Sequence, residues 1–314
     1  MAVATGIRER IAYAAETVIG ETPATPEFQT VEVTGFSINP SKEVIQDNRL
    51  GNRNRRCNKH GNQTVSGDLS LLLVHGAYDD LLEAGFCGTW ENDSPVLGSD
   101  TLVNGDTRRS FTIARENPEI DTNAWRYYRG VEVNTIGLEL TQNDNVQLTF
   151  GVIGVEATKG QAALAGQTFV APSTACAYDY KYGSLKVDDV VRAAITGFSF
   201  NVENGIEASF RLFSDKTGSK PIGKFDVGGN ITLQFESTED YNSFLAADKV
   251  SIELALRDAA TDGNEYVLII PRAMFNSAPT DTGGEGEITI TLDFAGEYDG
   301  GIDGTAQLVR TAAE

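Results

Sequence analysis

Thr34-Gly35-Phe36-Ser37-Ile38-Asn39 recurs as Thr196-Gly197-Phe198-Ser199-Phe200-Asn201, an offset of 162 residues. At the same offset Arg49-Leu50 returns as Arg211-Leu212, and Val65-Ser66-Gly67-Asp68-Leu69-Ser70-Leu71 as Val227-Gly228-Gly229-Asn230-Ile231-Thr232-Leu233. Three matches in one register mark an internal duplication, which must be found before any motif is weighed. Tyr78, Leu81 and Leu82 then match Tyr241, Phe244 and Leu245 in i, i+3, i+4 spacing, so each copy carries one short amphipathic helix. Ser237 and Asp240 form a capping pattern at the start of the second helix, and Gly85 is placed to close the first. The first copy then holds about twenty extra residues, roughly Gly88 to Thr107, and the offset falls to about 142. Val146, Leu148, Phe150, Val152 and Gly154 match Ile288, Ile290, Leu292, Phe294 and Gly296 in that second register.

Around these matches the pattern has period two. Thr289, Thr291 and Asp293 alternate with apolar residues, as Ser66, Asp68 and Ser70 do with Val65, Leu69 and Leu71, so each strand has one buried and one wet face. The expected fold is mainly β (α+β): two tandem sandwich or small-barrel domains, each with one short helix and a long hairpin loop. The expected division is an N-terminal arm over 1–28, a first copy over 29–156, a linker over 157–189, a second copy over 190–298 and a flexible C-terminal tail over 299–314.

The chain has 314 residues, 32 glycines and 9 prolines, which suits many turns and two ordinary cores. Its 25 basic and 45 acidic residues leave a formal charge of −20, which argues against a protein that grips nucleic acid by neutralising phosphates. Cys57, Cys87 and Cys176 are odd in number and irregularly spaced, so neither a disulfide framework nor a complete zinc site is expected, and a reducing compartment is. The first residues lack the apolar core of a secretory signal, and no stretch has the length and apolarity of a membrane span, so no membrane association is expected.

Catalytic signals are weak. His60 and His75 are the only near-neutral bases, and neither has a nucleophile and orienting acid in a recognisable pattern. Cys57 and His60 have half of a zinc-site spacing without a second ligand pair. Gly218 to Lys224 resembles a phosphate loop, but Phe225 stands where a Ser or Thr must meet magnesium and a strand follows instead of a helix. The turn from Tyr298 to Gly304 fits no calcium motif. No catalytic residue, metal or cofactor is assigned. A structural self-assembling protein is expected; a decoration or adhesion module and a cryptic enzyme are the alternatives.

Charge placement is more informative. Residues 40–64 hold Lys42, Arg49, Arg53, Arg55, Arg56 and Lys59 against Glu43 and Asp47, six minus two, or +4 in an acidic chain. Residues 281–303 hold Asp281, Glu285, Glu287, Asp293, Glu297, Asp299 and Asp303 and no base. A basic loop and an acidic patch on one molecule permit head-to-tail association into rings or filaments.

The segment Arg10-Ile11-Ala12-Tyr13-Ala14-Ala15-Glu16-Thr17, followed by Gly20, Thr22-Pro23 and Thr34-Gly35, resembles tail tube proteins of long-tailed, non-contractile bacteriophages. His60-Gly61-Asn62, Val65-Ser66-Gly67, Tyr78 to Ala84, Gly88-Thr89-Trp90 and Arg109 to Ile113 extend the likeness, which is strongest over 8–155. The resemblance implies a virion protein, assembled in the host bacterial cytoplasm into stacked rings through which double-stranded DNA passes without specific binding. Tape-measure and tail-end proteins are its implied further partners. Six single-domain subunits make such a ring, so the duplication implies three chains with pseudo-sixfold symmetry; rings of six chains are the alternative. It further implies that the long loops, 40–64 and 202–226, touch the neighbouring ring, with Arg49, Arg53, Arg55, Arg56, Lys59, Arg211, Lys216, Lys220 and Lys224 as contact residues. The second loop is electrically neutral where the first is basic, so the two cannot make identical contacts. Alternation makes Ser66, Asp68, Asn230, Thr232, Gln234 and Glu236 candidates for the channel wall.

Overall fold

A computed structural model of the chain describes residues 4–50, 53–54, 57–120, 122–259, 263–282 and 286–313. The first repeat is built from β1 (Arg10–Glu16), β2 (Glu27–Val31), β3 (Gly35–Phe36), β4 (Asn39–Gln46), β5 (Asn58–Leu72), α1 (Asp79–Phe86), β6 (Ser99–Val103), β7 (Ser110–Glu116), β8 (Trp125–Thr141) and β9 (Gln147–Gly154). β10 (Glu156–Ala157), β11 (Thr168–Val170), β12 (Gly183–Val187) and β13 (Val190–Val191) lead into the second. That repeat contains β14 (Ile195–Glu203), β15 (Ser209–Phe210), β16 (Thr217–Ser219), β17 (Asp226–Gln234), α2 (Glu239–Ala246), β18 (Lys249–Arg257), β19 (Glu265–Ser277), β20 (Thr280–Thr282), β21 (Ile288–Gly296) and β22 (Gln307–Thr311). The fold is mainly β, with open sheets rather than a closed barrel.

The duplication is visible strand by strand. The pairing chain β5–β9–β8–β7–β1 in the first repeat has its counterpart in β17–β21–β19–β18–β12 in the second. In each, one long strand changes partners along its length: β8 pairs with β7 and then β9, and β19 with β18 and then β21. A bulge between Val133 and Thr135 bends β8 and one between Phe275 and Ser277 bends β19, as an extra residue in a ladder must. Finer details repeat as well. The Asp68 N–H donates to Ser37 Oγ at 2.7 Å, and at the same place in the second copy the Asn230 N–H donates to Ser199 Oγ at 3.1 Å.

The core of the first repeat lies between the two sheets served by β8, where Ile11, Tyr13, Leu69, Leu81, Phe111 and Phe150 meet. That core continues into the second repeat without a gap in the cluster of buried side chains. A small apolar cavity at the join is lined by Leu82, Phe86 and Leu138 from one copy and Phe200, Leu254 and Leu308 from the other.

Several boundaries differ from the sequence expectation. Arg10–Glu16, expected within an N-terminal arm, is a strand paired on both edges, to β2 and β7. The expected linker is divided: β11 joins the first repeat beside β2, while β12 belongs to the second beside β18. The expected flexible tail contains β22, which lies between β19 and β6. β6 is the extra segment of the first copy, so the insertion clamps the end of the second. Arg310 fixes this clamp: it pairs with Asp79, reaches Asp100 at 2.9 Å and lies 4.5 Å over the Trp90 ring.

Both helices also end otherwise than expected. Asp79 and Asp80 sit in the first turn of α1, where carboxylates suit the helix N-terminus. Gly85 does not close α1: it lies inside the helix, where an added Cβ would come within 2.3 Å of Ile136, and Cys87 adopts the left-handed conformation that ends the helix. In α2 the pattern Ser237/Asp240 makes no capping box. Asp240 turns instead to Arg192 at 2.6 Å, and Ser237 Oγ accepts only the Glu239 N–H at 3.3 Å.

Candidate functional site

One sheet crosses the whole molecule in the order β3/β4, β5, β9, the C-terminal half of β8, β14, β17, β21 and β20. Its join is a seven-residue antiparallel pairing between the repeats, from Gly197 opposite Thr141 to Glu203 opposite Thr135. Strand register then sorts side chains onto two faces. Leu69, Phe150, Ile136, Phe200, Ile231 and Leu292 point into the core.

The opposite face is polar across both repeats. One row runs Gln147, Glu139, Ser199, Asn230, Asp293; another runs Asp68, Gly151, Thr135, Glu203, Asp226. Ser66, Asp68, Asn230, Thr232 and Gln234 all stand on this face, so five of the six candidate wall residues are brought together. Glu236 is not among them, because it lies beyond Gln234, the last residue of β17, where the chain turns toward α2. Sequence reasoning missed Glu139, Thr149, Ser199 and Glu203, although the alternation around them carries the same signal. The polar groups bind one another: Thr232 and Thr291 hydroxyls lie 3.3 Å apart, Thr149 Oγ1 donates to Ser70 Oγ at 3.4 Å, and Ser277 Oγ donates to Asp293. In these two rows, among the described residues, the strands place Asp68, Glu139, Glu203, Asp226 and Asp293 and no lysine or arginine.

A second feature is the lateral junction between the repeats. The Lys220 ammonium is buried 3.0 Å from Glu132, also donates to the Gly130 carbonyl, and its own carbonyl accepts from Arg108 at 2.7 Å. Burial pushes the lysine pKa down while the Glu132 carboxylate opposes that shift. Nearby, Asn204 Nδ2 donates to the Gly85 carbonyl at 2.8 Å, and the Phe225 ring meets Phe86 with centroids 5.9 Å apart. The second loop therefore lies against the first repeat, and Lys220 is a buried junction residue instead of a free stacking cation. The loop-like motif from Gly218 to Lys224 is part of this packing, with Gly223 seated on Gly205.

The first loop is an extended ribbon of β4 and β5 whose residues 39–46 are all exposed. Arg49 on it is bound locally by Asp47 at 2.5 Å, which holds that carboxyl below its usual range. Lys59 is exposed on β5 and Arg53 is exposed beyond it, while Arg55 and Arg56 lie outside the described residues. Arg211 and Lys224 are exposed, and Lys216 bridges to Glu156 at 2.6 Å. Both loops carry a bare apolar residue beside the shared arginine: Leu50 in the first, Leu212 and Phe213 in the second.

The expected acidic patch is dispersed. Glu297 is bound by Lys249 and by Arg272 at 3.2 Å, Asp293 stands on the polar face, and Glu285 lies outside the described residues. His75 is half-buried, 3.0 Å from the Tyr178 hydroxyl, and His60 is exposed on the ribbon. Among the described contacts neither histidine is hydrogen-bonded to a serine or cysteine side chain.

Residues 6–296 match the family model of the phage tail tube protein. The chain belongs to that family. It is thus a structural protein of the phage virion, and the match runs through both repeats and the junction between them. No match was found among curated individual proteins. No described helix of this tail tube protein is long and apolar enough to cross a membrane.

Proposed function

We propose that three copies of this tail tube protein close into a ring of six repeats, and that rings stack into the conduit through which the phage genome is ejected. The observation that carries this reading is the polar sheet face over both repeats, whose two rows from β5 and β9 to β17 and β21 hold carboxylates and, among the described residues, no lysine or arginine. A wall of that kind offers DNA phosphates no counterion-releasing contact, so the duplex slides instead of binding. The opposite face is committed to the core, which leaves the polar face as the one free to look inward.

Stacking is assigned to the exposed loops. The β4–β5 ribbon, with Arg53 and Lys59, and the second loop, with Arg211 and Lys224, present cations beside the bare Leu50, Leu212 and Phe213. Apolar tips ringed by charge suit a contact between rings better than a solvated surface does. Membership of the family supports a location in the virion tail, and this reading takes tape-measure and tail-end proteins as the further partners and the host cytoplasm as the site of assembly.

The test is electron cryomicroscopy of concentrated purified protein, with native mass spectrometry of short assemblies. Straight tubes of uniform width with three chains per ring are expected. Rings of six chains would overturn the trimeric closure, and a protein that stays monomeric at every concentration would overturn the tube.

A further inference from the structure

The junction between the two repeats is a template for a contact that one chain cannot make alone. In it, Thr135–Thr141 of the first repeat pair antiparallel with Gly197–Glu203 of the second. Each side has a counterpart elsewhere in the chain. At the offset of 162, Ser199–Glu203 correspond to Ser37–Ser41, which pair on one edge with β5 and with no other strand among the described residues. At the offset of 142, Thr135–Glu139 correspond to Ser277–Asp281. This match is structural as well as sequential: the bulge at Val133/Thr135 recurs at Phe275/Ser277, and the pairs Leu138–Leu148 and Glu139–Gln147 recur as Thr280–Ile290 and Asp281–Thr289. On the outer edge of Thr280–Asp281 no described strand is paired.

The helices give an independent reason. α1 is buried at the join: Leu81 is 2% and Leu82 4% exposed, and Leu82 and Phe86 meet Phe200, Leu254 and Leu308 of the second repeat. α2 ends in the same left-handed turn 160 residues later, with Ala247 for Cys87, and on it Tyr241, at the place of Leu81, is 38% exposed and Leu245 64%. The helix is therefore buried beside the second repeat in α1 and partly bare in α2. What is absent over α2 is a first repeat lying where the second repeat lies over α1.

We propose that Ser277–Asp281 of one chain pair antiparallel with Ser37–Ser41 of a second copy, in the register Ser277 to Ser41, Pro279 to Asn39 and Asp281 to Ser37, with the second copy covering α2. This deepens the ring reading and rests on it. The two prolines fit the register. The Pro279 carbonyl accepts from the Thr291 N–H at 3.1 Å, so its nitrogen also faces β21 and the outer edge loses no donor. Pro40 does face outward, because the Ser37 N–H, three residues away, points to Asp68 at 2.9 Å. The new ladder accordingly has one hydrogen bond fewer than its template. Ser37, Asn39 and Ser41 continue the polar face, so the face passes from chain to chain with no cation at the join.

Disulfide trapping tests the register. In the template the Asn204 N–H donates to the Asn134 carbonyl at 2.8 Å, which makes the adjacent pair Glu203–Thr135, and hence Ser41–Ser277, a non-hydrogen-bonded pair. Such pairs have Cα atoms about 4.5 Å apart, within disulfide reach. The full chain with Cys57→Ser and Cys176→Ser is assembled after adding Ser41→Cys with Ser277→Cys, or Ser37→Cys with Asp281→Cys, then oxidised and run under denaturing conditions. The expected result for both pairs is a shift of the monomer band to covalent multimers ending at three chains. The mismatched pair Ser37→Cys with Ser277→Cys, displaced by about 13 Å along the strand, should remain monomeric. Tubes in which neither in-register pair links, or in which the mismatched pair links equally, overturn the junction while leaving the ring intact. Failure of the unsubstituted chain to form tubes overturns the ring and the junction together.

Discussion

Lys220 Nζ lies 3.0 Å from the Glu132 carboxylate, with both side chains almost wholly shielded from solvent, and the pair joins the second repeat's loop to the first repeat's longest strand. Arg108 reaches the same carboxylate at 2.7 Å, so one acid holds two cations at the junction.

Removing one member of such a buried group leaves an uncompensated charge. Glu132→Gln should destabilise the chain by about 3 kcal/mol, since two cations then lose their partner. Lys220→Met should cost less, because Arg108 still serves the acid. Urea unfolding monitored by Trp fluorescence measures both, and equal effects would show that Arg108 contributes nothing at the site.

The close approach of β5 to Ser37, repeated by β17 at Ser199, depends on glycine. Gly67 has φ +147°, and a Cβ there would lie 2.5 Å from the Ser37 carbonyl oxygen; at Gly229 it would lie 2.1 Å from that of Ser199. Gly67→Ala should destabilise by about 1–3 kcal/mol, the range for a strained backbone position, and Gly229→Ala by about 1–3 kcal/mol through overpacking against the Ser199 carbonyl. The check is thermal unfolding of the two variants, where a neutral effect at either site would mean that the strand pair there relaxes freely.

The repeat and the two-faced strands were legible because a half-buried strand writes its burial into every second residue, as Leu69 and Leu71 do beside Asp68 and Ser70. The junction was not legible. Lys220 stands among Gly218, Pro221 and Gly223, a composition that reads as solvated loop, and its partner is distant in sequence. β22 was hidden in the same way: Leu308 and Arg310 alternate, but the Gly/Asp run before them reads as a tail. Asp240 fits a helix cap locally, and only the tertiary position of Arg192 draws it elsewhere. Local periodicity thus reports which face is buried, while partner choice between distant segments leaves no local trace.

His75 provides a pH test. Burial holds its pKa below the usual 6.5, with Arg310 pushing the same way against Asp79, Asp258 and Asp100. Above pH 6.5 the imidazole is neutral in both folded and unfolded chains, so its contribution is fully present there. As pH falls below that value the unfolded chain takes up the proton first, and stability is lost until the folded-state pKa is reached. Unfolding free energy should therefore fall as pH drops from 6.5, and His75→Gln should flatten that slope. The same slope in the variant would assign the loss to other groups.

The polar face yields the most direct functional test. Asp68 and Glu139 are exposed on it, one on β5 and the other on the half of β8 that joins the repeats. If the face lines the channel, Asp68→Lys with Glu139→Lys converts a wall without cations into one that neutralises phosphates. Each phosphate contact makes log K fall with log salt by about 0.9, so the added hold on DNA should be strong at low salt and weak at high salt. Virions carrying both changes should assemble tails of normal length, eject DNA several-fold more slowly in dilute buffer, and recover as salt rises. The control is Asp106→Lys with Glu27→Lys, which makes the same change in charge at exposed positions off this face. Slowing by the control as well would trace the effect to net charge. Normal ejection by the Asp68 and Glu139 variant at every salt concentration would mean that the polar face does not look into the channel.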